Sequence, residues 1–338
     1  MAAGRGRVTI VEVARRAGTS VSSASVALRG EPGVSEATRR RVLSAAELLG
    51  YRPDRRARTL RAQRSQLLGV VYTVADPFHA AVVESLYGVA DPLGYGLVLG
   101  GVTGSRTASR AGEDLLQERC DALLLVSPRM DTDELETLSG RVPAVLVGSD
   151  LEAPGVDVVR SDDARGVAAA VGHLVEEGHR DVWFVDGGPA VLAAERRSGY
   201  RDAMVAHGLA EHVRLLGGRA DEESGVGAAE LLLREPRRPT AVLAHNDLTA
   251  FGVLLTLRRA GVEVPAEISV VGFDDTRLAR LAGVELSSVD QQPGVLAEEA
   301  LRRAVERAEG ATGPAVRRVL VPRLVVRGSS GPVPARRR

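Results

Sequence analysis

Apolar positions along the chain follow two different rhythms. Up to about residue 50 they recur at helical spacing: Ile10, Val13, Ala14 and Ala17, then the stretch 21–28, then Val42, Leu43, Ala46 and Leu49 on an expected buried side. The T-I-V-E sequence at 9–12 is a capping box, in which the Thr9 hydroxyl caps the first turn and Glu12 reaches back to the Thr9 N–H. Gly18 suits a left-handed stop, Ser20 and Ser35 can open the second and third helices, and Gly30, Pro32, Gly33 and Gly50 break the chain. Two helices joined by a tight turn, followed by a third, predict a helix-turn-helix headpiece over 7–50. From residue 66 the rhythm changes to short apolar runs at 67–74, 97–99, 122–126 and 144–147, then at 182–185, 241–244 and 268–271, with helical stretches between them. That alternation predicts an α/β core of parallel sheets flanked by helices, in two similar lobes. A ligand cleft is expected beyond the carboxyl ends of the strands.

Charge divides the chain at the same place. Of the 338 residues, 44 are Arg and none is Lys, against 44 acidic residues, for a formal net charge of zero. Residues 1–65 carry 14 Arg and five acidic residues, a net +9, and the remainder carries −9. A basic block on an acidic body suggests a polyanion-binding module joined to a globular domain. Ser22, Ser23 and Ser25 are poor interior helix formers, but short hydroxyls on an exposed helix face reach bases or phosphates without steric cost. Over 51–65, Arg55, Arg56, Arg58 and Arg61 crowd around Ala57 and Leu60. The segment reads either as a basic linker or as a short hinge helix that folds when phosphates relieve the repulsion. Leu60, its one large apolar residue, is either a packing contact or a wedge for the minor groove.

Other classes find little support. Hydrophobic residues make up 44% and charged residues 26%, which gives enough apolar material for a core and excludes a disordered or collagen-like chain. The lone Cys120 cannot form an internal disulfide, and no 18-residue apolar run is present. The amino terminus lacks the apolar stretch of an export leader, so a cytoplasmic protein is expected. The adjacent Asp162-Asp163 and Asp274-Asp275 pairs diverge and make no acid–base couple, and the six His show no metal-ligand spacing. No enzyme activity, metal or cofactor is expected. Strand ends instead present Asp76, Phe78 and His79, then Asn246 and Asp247, then Asp274 and Asp275. Asn and carboxylate groups hydrogen-bond the adjacent hydroxyls of a polyol, and an aromatic ring covers its apolar face. Asp247 and Asp275 are expected to cap helices rather than touch a ligand.

The order and spacing of T-I-V-E-V-A-R-R-A-G-T-S, A-S-V-A-L-R-G, V-S-E-A-T-R-R-R-V and L-G-Y-R-P-D-R-R-A-R-T-L-R resemble the headpiece and hinge of the LacI–GalR family of bacterial transcription regulators, and the likeness runs from about residue 7 to 328. The resemblance implies a periplasmic-binding-protein type 1-like effector and dimerisation core over 66–328. Its N-lobe would span 66–160 and 291–324, its C-lobe 161–290, and a disordered tail 329–338. It places Val21, Ser22 and Val26 at base-reading positions and Thr9, Ser20 and Ser25 at phosphate contacts, with Arg29, Arg55 and Arg58 on the DNA and Ala57 and Leu60 in the minor groove. Val26 stands where the family often has Arg, Asp54 where it has Asn and Ala24 where it has Val, which bears on the operator read rather than the binding mode. For the effector it implies Phe78, His79, Arg196, Asn246 and Asp274; the strand-end Asp76 is expected beside them, and Gln291 and Pro293, at the last crossover, are expected at the rim. Gly148 replaces an Asp of some relatives and Ala220 an aromatic residue. The implied function is a repressor, active as a homodimer on a pseudo-palindromic double-stranded operator and controlled by a small molecule, by family default a sugar. The alternatives are a co-repressor-dependent regulator and a solute-binding protein of the same core fold.

Overall fold

The computed structural model describes residues 8–51 and 64–333, and the chain forms two units that meet at Ser65 and Gln66. The first unit holds α1 (Ile10–Ala17), α2 (Val21–Arg29) and α3 (Glu36–Leu49). Each start and stop has a local cause. The Thr9 N–H donates to Glu12 Oε2 at 2.7 Å, and the Glu12 N–H donates back to Thr9 Oγ1. Ser20 and Ser35 accept from the N–H groups of Ser23 and Thr38. Gly18, Gly30 and Gly50 end the three helices in the left-handed region. Val13, Ala14, Ala17, Ala24, Ala27, Val42, Ala45 and Ala46 make the core. Leu43, expected on the buried side, is 48% exposed. It lies a hundred degrees around the helix from Val42, off the stripe that Val42, Ala45, Ala46 and Leu49 form. Arg41 Nε donates to Ala17 O and an Arg39 guanidinium nitrogen to Glu31 O, so two arginines of α3 satisfy carbonyls at the ends of the other helices.

The second unit contains two six-stranded sheets. The first takes β1 (Leu67–Thr73), β2 (Gly96–Val102), β3 (Ala122–Val126), β4 (Ala144–Val147) and β5 (Asp157–Ser161), with α4 (Pro77–Ala90), α5 (Ala108–Gln117) and α6 (Thr132–Ser139) between them. The second follows α7 (Asp163–Glu176) and takes β6 (Val182–Val185), β7 (Arg214–Leu216), β8 (Ala241–Ala244), β9 (Ser269–Phe273) and β10 (Ser287–Asp290). Its helices are α8 (Ala193–Ala206), α9 (Glu222–Arg234) and α10 (Asp247–Arg259). The chain then returns to the first lobe through α11 (Pro293–Ala308) and β11 (Arg317–Leu320), and to the second through β12 (Arg323–Val325). Strand orders are β11-β5-β4-β3-β1-β2 and β12-β10-β9-β8-β6-β7. Every pairing is parallel except that of β12 with β10. Leu68, Val70, Leu124 and Val145 pack under α4 and α11, while Leu123, Leu125 and Val71 face α5 and α6. Because both faces are covered, the strands read as continuous apolar runs.

Three crossovers join the lobes and are tied to one another. Ser161 Oγ lies 2.6 Å from Gln291 Oε1, the Asp162 N–H donates to Leu320 O, and Gln292 Nε2 donates to Val321 O. The stretch after Gly328, expected as a disordered tail, is ordered through residue 333. Ser329 and Ser330 are buried, the Val270 N–H donates to Ser329 O, and His179 Nε2 meets Gly331 O at 2.9 Å. Buried polar groups of the second lobe need these partners, which holds the segment down. Residues 334–338 lie outside the described ones.

Candidate functional site

In the headpiece, Val21 and Ser22 are exposed on the first turn of α2, with Ser20 exposed at its cap, and Thr9 is exposed at the cap of α1. Ser25 and Val26 are half-buried one turn further along. The Val26 side chain lies against the Gly33 turn. Helix N-termini present unsatisfied N–H groups and favour anions. The Arg29 side chain and Arg55, Ala57, Arg58 and Leu60 lie outside the described residues.

In the second unit a cavity of about 300 Å³ opens between the lobes at the carboxyl ends of the strands. All seven residues singled out for the effector line it: Asp76, Phe78, His79, Arg196, Asn246, Asp274 and Gln291. Gly148 and Ala220 line it too, so their small side chains enlarge it.

On the first lobe, Asp76 caps α4, accepting from the Phe78 and His79 N–H groups. His79 is buried, and its Nδ1 accepts from the Thr73 N–H at 2.9 Å. In the neutral ring the proton therefore sits on Nε2, 3.6 Å from Asp76 Oδ2. Burial pushes the His79 pKa down, against the opposing pull of the Asp76 charge. His79 thus ties the end of β1 to α4, and Phe78 is presented to the cavity from that base.

On the second lobe, Arg196 is the central group. Its Nε donates to Asp163 Oδ2 at 2.7 Å, one terminal nitrogen donates to His245 O at 2.6 Å, and the other lies 3.7 Å from Asp274 Oδ1. The guanidinium stacks on the Phe273 ring, 3.8 Å from its centroid. Burial works against its charge, and the opposing pull, led by the Asp163 carboxylate, holds its pKa above the usual value. Asp274 Oδ1 lies 2.7 Å from the Gln291 amide. Burial holds the Asp274 carboxyl well above the usual range, although Arg196 pulls the other way.

Neither Asp247 nor Asp275 caps a helix. Asn246 is the cap of α10, its Oδ1 accepting from the Thr249 N–H, and its amide nitrogen donates to the carbonyl of Ala220, another lining residue, at 3.4 Å. Asp247 instead binds Thr276 and Ser288 from within the lobe, and burial pushes its pKa up to about 6. Asp275 pairs with Arg280 and Arg327. Gln291, expected at the rim, is buried on the cavity floor, drawn there by Asp274 and Ser161. Pro293 opens α11 and is not among the lining residues.

Sequence reading missed several wall residues. Ser127 and Arg129 follow β3, Arg219 follows β7, and His245 ends the β8 turn. The strand-end rule that picked out Asn246 applies equally to His245 and Arg129. The His245 ring packs on Gly187, where any added Cβ would lie within 2.5 Å of it. Burial, then the Arg196 and Arg197 charges, hold its pKa well below the usual value. Asp163, in the sequence only half of an acidic pair, is the buried anchor of Arg196. Among the described residues no cluster of metal-ligating side chains occurs, and no helix is long and apolar enough to cross a membrane.

Comparison with known proteins agrees with both units. Residues 9–54 match the model of bacterial regulatory proteins of the lacI family, and residues 171–330 match a periplasmic binding protein-like domain. The transcriptional regulator GalR of Escherichia coli is 34% identical over 327 residues, 95% of each chain. The structure of the Lac repressor dimer bound to operator and the anti-inducer ONPF superposes with a TM-score of 0.82 at 26% identity, covering 96% of this chain and 99% of that one. The complex of the regulator CelR with cellobiose gives a TM-score of 0.69 at 33% identity, covering 96% of this chain and all of that one. With a headpiece and a two-lobed core of these kinds on one polypeptide, the chain belongs to the lacI family of bacterial transcriptional regulators.

Proposed function

We propose that this regulator is a cytoplasmic, non-catalytic repressor, whose grip on a pseudo-palindromic operator is set by a sugar or sugar derivative bound between the lobes. The observation that carries the effector reading is the cavity itself, in which the Arg196 guanidinium, the Asp76 and Asp274 carboxyl groups, the Asn246 and Gln291 amides and the Phe78 ring converge within about 300 Å³. That inventory suits a ring of adjacent hydroxyls with one apolar face. In this reading Thr9, Ser20 and Ser25 hold phosphates, and Val21, Ser22 and Val26 face bases in the major groove. Arg29, Arg55 and Arg58 add charge, and Ala57 and Leu60 enter the minor groove of the same operator. Two copies pair through the 66–328 core, as a dimer is the operator-bound form of the Lac repressor.

The test is an anisotropy titration on duplexes enriched from source genomic DNA, run against a panel of mono- and disaccharides with cellobiose included. One sugar should change operator affinity about tenfold or more. Arg196→Ala or Asn246→Ala should abolish that change while leaving operator affinity in the absence of sugar intact. A response that survives both substitutions removes the cavity from the mechanism.

A further inference from the structure

The floor of the cavity contains one hydrogen-bonded chain with too few protons. Asp274 Oδ1 lies 2.7 Å from the Gln291 amide. The other end of that amide lies 2.6 Å from Ser161 Oγ. Ser161 Oγ in turn lies 2.5 Å from Asp163 Oδ1. All four side chains are buried. With both carboxyls ionised and the amide oxygen toward Ser161, the single Ser161 proton has two acceptor oxygens at contact distance. Two buried oxygens would then be held 2.5 or 2.6 Å apart with nothing between them.

One extra proton resolves the conflict, and the surroundings decide where it sits. Asp163 uses its other oxygen to accept from Arg196 Nε at 2.7 Å, a charge-assisted bond that favours the carboxylate. Asp274 has the same guanidinium only at 3.7 Å. It also faces the negative charges of Asp247, within its own lobe, and of Asp76, across the cleft. The Gln291 amide can be turned by 180° at no cost in shape, since its oxygen and nitrogen are distinguished only by the network around them.

We infer that Asp274 is a carboxylic acid in the effector-free protein, that it donates to Gln291 Oε1, and that the Gln291 amide donates to Ser161, which donates to Asp163. Every short contact then holds one proton. The inference deepens the effector reading by adding a ligand class. With Asp163 neutralised by Arg196 and Asp274 uncharged, this group of floor residues carries no net charge, so it offers the hydroxyls of an uncharged polyol hydrogen-bonding partners and an ammonium group no counter-ion. Ser161 is a positioning residue: it touches no ligand but fixes which face of the Gln291 amide is turned toward Asp274.

Infrared spectroscopy of the full chain tests this without any ligand, so the result stands apart from whether the effector reading holds. At pH 7.5, where Asp247 with its pKa of about 6 is largely ionised, wild type should show the C=O stretch of a protonated carboxyl. Asp274→Asn, nearly isosteric, should lose the band entirely. Ser161→Ala removes the acceptor that holds the amide in its turned state, so the band should persist but titrate away about one pH unit lower. A wild-type spectrum lacking the band overturns the inference. So does a band that survives Asp274→Asn, or one whose midpoint is unmoved by Ser161→Ala.

Discussion

Asp157 shows how a single buried charge holds a surface strand in place. Its carboxylate accepts from Arg303, Arg307 and the Val316 N–H, so β5, α11 and the approach to β11 meet at one group. Burial works to raise its pKa, but the Arg307 and Val316 hydrogen bonds and the charges of Arg303 and Arg307 overcome it and hold the value below the usual one. An acid with a depressed folded pKa adds stability above its unfolded pKa, near 4, and loses it as pH falls through the folded value. Asp157→Asn leaves the half-buried Arg303 and Arg307 short of a counter-charge and should cost roughly 1.5–3 kcal/mol at neutral pH, the range for hydrogen bonds to charged groups. The gap to wild type should narrow as pH falls below about 4, where the unfolded carboxyl takes up a proton that the folded one still resists, and should close only below the depressed folded value. Denaturant unfolding from pH 3 to pH 7 measures this, and a gap independent of pH contradicts the assignment. The sequence hid this site because D-V-V-R-S at 157–161 has no strand pattern. Asp157 and Arg160 are buried on account of partners 35 to 150 residues away.

At the scale of elements, the cavity wall depends on how closely two helices approach. Gly225 of α9 and Gly252 of α10 face each other, and a Cβ on Gly252 would meet Glu222 O at 2.1 Å. No flexible side chain is available to yield there, so the backbones must separate. Gly252→Ala should destabilise the protein by about 3 kcal/mol, the upper range for an overpacked core. It should also raise the effector concentration for half response, because α10 begins at Asn246 on the cavity wall. Thermal unfolding together with effector titration checks both, and stability lost with no change in effector response separates the helix crossing from the site. Elements of this kind were readable where their pattern was local. The runs at 122–126, 144–147, 182–185 and 241–244 each became a strand with those bounds. The capping box and the three glycine stops set the headpiece helices. Strand β10, S-S-V-D, was invisible to hydrophobic pattern, since Ser287 and Ser288 are buried through bonds to Ser330 and Asp247. For the same reason the strand-end rule found Asp76, Phe78, His79, Asn246 and Asp274, while Arg196 came only through the family resemblance and Gln291 through the last crossover, and nothing pointed to Ser161 or Asp163, whose places depend on the crossovers.

At the scale of the molecule, regulation requires the two lobes to have more than one arrangement, and the contacts between them set the balance. Beside the crossovers, buried Arg160 of the first lobe pairs with Glu195 of α8 in the second. The same Glu195 carboxylate accepts from the Ala164 N–H at the start of α7. This pair belongs to the lobe arrangement seen here and lies beside the crossover at 161–163, so a rotation that separates α8 from the end of β5 breaks it. Glu195→Gln keeps the shape and removes the charge, so it shifts the equilibrium between arrangements without touching the cavity floor or the headpiece. Thermodynamic linkage dictates the signs of the two responses. If operator and effector favour different arrangements, a shift that strengthens one apparent affinity weakens the other; if they favour the same arrangement, both move together. Loss of about 1.4 kcal/mol from one arrangement corresponds to a tenfold change in the balance. Operator and effector titrations of Glu195→Gln therefore distinguish induction from co-repression by the relative sign of two shifts. Unchanged affinities for both ligands place the Arg160–Glu195 pair outside the switch.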